Sequence, residues 1–103
     1  MKTCQVSPRA ESDLDEIFQF IANDNPDAAF KLSLKFHEKF RQLAEYPGLG
    51  CSYAHFRPGM RGIAVGRYII FYRQIEGIDA IEVIRVIHGA RNYPKLFRDD
   101  ADA

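Results

Sequence analysis

Ile81-Glu82-Val83-Ile84-Arg85-Val86-Ile87-His88-Gly89-Ala90-Arg91 is the stretch on which the fold turns. Val and Ile suit the pleated, packed surface of a sheet and Gly89 breaks the run, so the pattern predicts a strand over 80–88. Between Val83 and Ile87 apolar and polar residues do not alternate, so both faces of this strand need cover. The same stretch crowds Arg85, His88 and Arg91 at one strand end. Two guanidiniums and an imidazole so close repel one another and call for an anionic or carbonyl-rich partner, within the chain or on another molecule.

Working back along the chain, strands are predicted over about 60–65 and 67–74. Gly66 separates these two, and Glu76-Gly77 supplies the turn to the last strand. Connections this short force antiparallel neighbours. Tyr68-Ile69-Ile70-Phe71-Tyr72 is again apolar on both faces. Upstream, Tyr46-Pro47-Gly48-Leu49-Gly50 ends a helix and an irregular stretch runs through Gly59.

Two helices precede this break. Ser7-Pro8 starts the first, with Ser7 as N-cap and Pro8 where its missing N–H costs nothing. Ala10, Leu14, Ile17, Phe18 and Ile21 share one helical face. Glu11, Asp13, Asp15 and Glu16 sit toward the positive end of the helix and read as a solvated face matched to its dipole. Asn23-Asp24-Asn25-Pro26 breaks this helix and starts another, with Asn25 as cap. Ala29, Leu32, Phe36, Phe40 and Leu43 form the second apolar stripe, with Lys31, Lys35 and Lys39 opposite and His37 exposed. The segment 3–6 reads as a short first strand, 93–98 as an apolar tail with one turn of helix, and 99–103 as a frayed end.

The order β-α-α-β-β-β gives a two-layer α+β fold, one domain over 1–98, with a helical hairpin packed on a small antiparallel sheet. The hairpin covers one side only. The other face is expected to be covered by the C-terminal tail, by a twin subunit or by another protein.

Bulk properties narrow the classes. A chain of 103 residues buries about two thirds of its unfolded surface on folding, enough for one core. No stretch suits a bilayer span or a signal peptide, so a cytoplasmic protein is expected. Cys4 and Cys51 match neither a metal site nor a disulfide scaffold, so reduced thiols and no metal or cofactor are expected. Net charge is zero, yet residues 1–50 hold six Lys/Arg against eight acids, and residues 51–98 hold eight against three. That patch is too small for broad nucleic-acid binding.

Several segments resemble the ParE-type toxins of the RelE/ParE superfamily. They are Val6-Ser7-Pro8-Arg9-Ala10-Glu11-Ser12-Asp13-Leu14-Asp15-Glu16-Ile17, Tyr46-Pro47-Gly48-Leu49-Gly50, Gly59-Met60-Arg61, Tyr68-Ile69-Ile70-Phe71-Tyr72-Arg73 and, most closely, Val86-Ile87-His88-Gly89-Ala90-Arg91. The resemblance spans nearly the whole chain, with its signals in order, although Asn92 stands where the family has an acidic residue. It implies the same β-α-α-β-β-β fold and the toxin of a type II toxin–antitoxin module, held by a cognate antitoxin (ParD-like or other) in a hetero-oligomer. ParE-type members act on DNA gyrase and trap it on cleaved DNA, whereas RelE-type members cut messenger RNA in the ribosome.

For the ribonuclease alternative, Arg61, Arg85 and Arg91 are the candidate cations, and His88 or Tyr93 the proton carriers. The sheet region lacks the lysines that RelE-type toxins carry near the active site, which favours a binding toxin. Its candidate contacts with target or antitoxin are Arg61, Arg67, Tyr68, Tyr72, Arg85, His88 and Arg91. Competing structural roles are an Arg85 salt bridge to Asp13 or Glu16, a loop carbonyl for His88, and packing for Tyr68 and Tyr72. A decayed, non-toxic antitoxin-binding remnant is the third reading.

Overall fold

The computed structural model describes residues 2–90 and Lys95. In chain order the elements are β1 (Thr3–Val6), α1 (Pro8–Asp24), α2 (Pro26–Glu45), a 3-10 turn (Pro47–Leu49), β2 (Cys51–Ser52), β3 (Met60–Val65), β4 (Tyr68–Ile75) and β5 (Ala80–His88). The sheet order is β1-β5-β4-β3-β2. The expected α+β hairpin-on-sheet architecture is present, with two additions. β1 pairs with β5 in parallel, so an antiparallel body carries one parallel edge and the sheet is mixed. Short connections constrain only neighbouring strands, whereas a strand joined through two helices is free to run parallel. The second addition is β2, inside the stretch expected to be irregular. Two residues are too few to show a period in sequence.

Local chemistry sets the helix ends as the sequence predicts. Ser7 Oγ accepts from the Ala10 N–H at 3.1 Å and itself donates to the Ile84 carbonyl at 3.0 Å, so the cap also fastens α1 to β5. Asn25 closes one helix and opens the next. Its N–H donates to the Ile21 carbonyl at 2.7 Å, while its Oδ1 accepts from the Ala28 N–H at 3.1 Å. Gly66, at φ 59°, supplies the first central position of the β3–β4 turn, a conformation open to glycine.

Helices and sheet meet in a core built on Ala10, Phe36, Leu43, Ile70, Tyr72, Ile81, Val83 and Val86. Phe36 touches Phe18 and Tyr68 edge-on, with ring centroids 5.9 and 6.0 Å apart. On the far face Met60, Phe71, Ile84 and Ile87 form a second cluster against Tyr53, Phe56 and Ile69. Tyr53 stands edge-on to Phe71 at 5.1 Å and stacks on Phe56 at 5.9 Å. The loop between β2 and β3 therefore supplies cover that the sequence reading assigned to a tail, a twin or a partner. The tail, 93–98, and the end, 99–103, lie outside the described residues apart from Lys95.

Candidate functional site

Each arginine of the candidate set has a definite place. In β5 the ladder to β4 skips one residue: Tyr72 pairs with Val83, and Phe71 with Arg85. This bulge lies beside the point where β1 ends opposite Val83. Arg85 is 2% exposed. Its Nε donates to Asp13 Oδ2 at 2.8 Å and its Nη2 to Asp13 Oδ1 at 3.1 Å. The Val86 N–H donates to the same Asp13 Oδ2 at 3.0 Å. Asp13 is thus no member of a solvated acidic face, because it is buried and serves as anchor for β5. Arg85 is withdrawn from target contact for the same reason, since a buried bidentate pair has no reach to solvent.

Arg61 and Tyr72 belong to a second knot. Tyr72 is fully buried. Its hydroxyl donates to the Pro47 carbonyl at 2.6 Å and accepts from the Gly50 N–H at 2.8 Å. Arg61 Nη1 donates to the Gly50 carbonyl at 2.6 Å. Burial pushes the Tyr72 hydroxyl up from its ordinary value, opposed by the Gly50 hydrogen bond and the Arg61 charge. A Cβ on Gly50 would stand 2.7 Å from the Gly62 carbonyl and 2.8 Å from the Tyr72 hydroxyl, so only glycine fits this approach. The knot pins the turn after α2 to the sheet. Tyr72 is a packing residue, and Arg61 is half-buried with one donor spent on backbone.

Arg67, Tyr68 and His88 gather at the other end of the sheet. Tyr68 pairs with His88 across the strands, their rings edge-on at 5.3 Å. The Gly89 N–H donates to the Arg67 carbonyl at 2.8 Å, and the Ala90 N–H donates to His88 Nδ1 at 3.1 Å. His88 thus accepts from a backbone amide rather than bonding a carbonyl. Tyr68 is half-buried against Phe36, and Arg67 is exposed. Among the described residues the Arg67 side chain has no hydrogen bond or ion pair, whereas the side chains of Arg61, Arg73 and Arg85 are all bonded. Arg61 pairs with Tyr72 while Val65 pairs with Tyr68, so Arg61 and the His88 end are roughly 13 Å apart along the strands at about 3.3 Å per residue. Arg91 and Tyr93 lie outside the described residues.

The three described members of the ribonuclease set are thus apart, with Arg85 buried in an ion pair, Arg61 fastening a turn, and the His88 imidazole at the far end. Among the described residues no group of three His, Cys, Asp or Glu side chains is placed to hold a metal ion. No helix there is long and apolar enough to cross a membrane. Sequence reasoning overlooked Tyr53 and Phe56, whose aromatic pair three residues apart was the available signal.

Similarity to known proteins agrees with this geometry. Residues 5–93 match the family described as ParE toxin of type II toxin–antitoxin system, parDE. The chain is 32% identical over 93 residues to Toxin ParE1 of Caulobacter vibrioides, covering 89% of this chain and 94% of that protein. It is 30% identical over 84 residues to Toxin ParE1 of Mycobacterium tuberculosis, covering 81% and 85%. A solved structure titled "Chromosomal ParDE TA system from P. aeruginosa" superposes with a TM-score of 0.70 at 21% identity, over 85% of this chain and 96% of that one. Fold, ordered motifs and relatives together make the chain a member of the ParE toxin family of type II toxin–antitoxin systems.

Proposed function

We propose that this toxin inhibits DNA gyrase by binding it and stabilising its complex with cleaved DNA, and that a ParD-type antitoxin neutralises it in a hetero-oligomer. Both partners place its action in the cytoplasm. The observation that carries the reading is the Asp13–Arg85 pair. It commits to folding one of the three candidate cations for a metal-free ribonuclease's developing phosphorane. Among the described residues, the candidate contacts not committed to the fold are at the Arg67–His88 sheet end.

The test is a supercoiling assay with purified toxin and gyrase. Blocked supercoiling with accumulation of cleaved DNA, reversed by the antitoxin, is the expected result. Unchanged supercoiling together with ribosome-dependent message cleavage overturns it in favour of an enzyme. Neither effect, with antitoxin still bound, marks a non-toxic remnant.

A further inference from the structure

Charge on this molecule is sorted by element. α1 exposes Glu11, Asp15, Glu16 and Asp24, with Arg9 as its one cation. Residues 46–75, which hold the turn after α2 and strands β2 to β4, contain four arginines and no Asp or Glu. Toward this acid-free side α2 turns Lys35 and Lys39. They line a cavity of about 460 Å³ with Ala64 and Val65 of β3, and no residue of α1 takes part.

Lys31, Lys35 and Lys39 follow one another at i, i+4 and i+8. That spacing makes one row along the helix, with a rise of about 6 Å per step. Among the described residues none of the three has an ion pair or a hydrogen bond. Glu38, the acid set among them, is held by Arg41 Nη2 at 3.2 and 3.1 Å. At Lys35 the row reaches the Arg67 end of the sheet. The neighbouring Phe36 meets the Tyr68 ring at 6.0 Å, and Arg67 adjoins Tyr68 in the chain.

Like charges at i, i+4 cost a helix stability, so the fold gains nothing from this row. An outside anion offsets the cost. Ammonium groups spaced evenly along a line suit evenly spaced anions, and the backbone of a nucleic acid offers these. A peptide presents its carboxylates singly, among neutral and apolar residues. Three lysines are too few to hold a duplex unaided, in keeping with the zero net charge of the chain. They add to binding where another protein already holds the DNA within reach.

We propose that Lys31, Lys35 and Lys39, continued by Arg67, lie along the phosphates of the DNA that gyrase holds. The proposal rests on the gyrase reading above and adds DNA to the surface that the toxin recognises. The acids of α1 then orient the encounter, because they turn that side away from the duplex.

The experiment measures toxin affinity for purified gyrase, with and without a linear duplex carrying a cleavage site, over a range of salt. Wild type is expected to bind the DNA-loaded enzyme at least tenfold more tightly. Lys31→Gln, Lys35→Gln and Lys39→Gln combined lose that gain and melt like wild type. They also lower the salt slope by about one per lysine, and affinity for DNA-free gyrase is unchanged. Lys2→Gln, Arg9→Gln and Arg73→Gln combined remove the same charge from other elements and keep the gain. Equal wild-type affinity with and without DNA, or a gain retained by the lysine variant, overturns the DNA contact but not the gyrase reading. Weaker binding of the lysine variant to DNA-free gyrase sets the row against protein and overturns the DNA assignment. Equal losses in both triple variants make net charge the cause and overturn the placement. No binding of wild type to gyrase in either form overturns both readings.

Discussion

Asp13 and Arg85, 72 residues apart in the chain, form an ion pair buried on both sides, with side chains 9% and 2% exposed. β1 ends at Val6 opposite Val83, and beyond that point β5 is paired with β4 alone, its other side without a strand. The first turns of α1 fill the gap: Ser7 Oγ donates to the Ile84 carbonyl, and Asp13 accepts the Val86 N–H. A carboxylate thus does for the strand edge what a backbone carbonyl would do, and the guanidinium neutralises it. Helix start and strand end are one unit, and of the two roles weighed for Arg85 in sequence the salt bridge to Asp13 is the one it takes.

Removing the carboxylate takes the Asp13 charge from a buried guanidinium and leaves the Val86 amide bare. Asp13→Ala should therefore destabilise the fold by about 3–5 kcal/mol, and Asp13→Asn by less, because the amide oxygen still accepts from Val86. Urea unfolding of both variants reads the difference. A loss below about 1 kcal/mol for the alanine variant would mean that the pair behaves as a surface bridge in solution.

Tyr72→Phe keeps the ring in the core and deletes the hydroxyl between Pro47 and Gly50. The buried Gly50 N–H then has no acceptor, at a cost of about 1–3 kcal/mol. Gly50→Ala should cost at least as much, since its Cβ meets backbone that cannot move aside. Faster exchange of the Gly50 amide in the phenylalanine variant checks the assignment. If that exchange does not change, the hydroxyl is not the acceptor.

Helices were legible in sequence because Ser7-Pro8 and Asn25-Pro26 state their own caps, and the observed starts at Pro8 and Pro26 follow. β4 and β5 were legible from their apolar runs between turns. The parallel partnership of β1, by contrast, depends on the path of two helices, which no local pattern carries. β2 escaped notice because a two-residue strand exists only through its partner. The candidate site was legible as a set of residue types but not as a geometry. Whether Arg85 faces solvent or Asp13 depends on a bulge and on where β1 stops, both of which are tertiary facts.

The two cysteines should behave differently. Burial pushes the Cys4 thiol up to about 11 from 9.0, while Cys51 is exposed. At pH 8 a maleimide or iodoacetamide should label Cys51 first and Cys4 slowly, since the thiolate is the reacting form. The same shift sets an alkaline limit. Above pH 9 the unfolded thiol ionises before the folded one, so the contribution of Cys4 to stability is whole below 9 and is lost as pH rises toward 11. Tyr72, also raised, acts in the same direction from 10 upward. Thermal melts from pH 8 to 11 should show the decline, and Cys4→Ala should reduce it. Equal labelling rates for both thiols would refute the assignment.

Arg67 offers the sharpest separation of function from folding. It is exposed in the β3–β4 turn, and its side chain bonds none of the described residues, so reversing its charge should alter stability by no more than about 0.5 kcal/mol. It also stands beside His88 at the sheet end left open once Arg85 and Arg61 are committed elsewhere. Arg67→Glu should then melt like wild type yet lose gyrase inhibition by tenfold or more, with the loss greatest at low salt, where an attractive contact becomes a repulsive one. Arg73→Glu is the matched control. Arg73 is also exposed but bound to Glu82 at 3.0 Å, near the opposite end of the same strand, and inhibition should change little there. Equal effects of the two variants would mean that net charge, rather than a placed guanidinium, drives the encounter with the target.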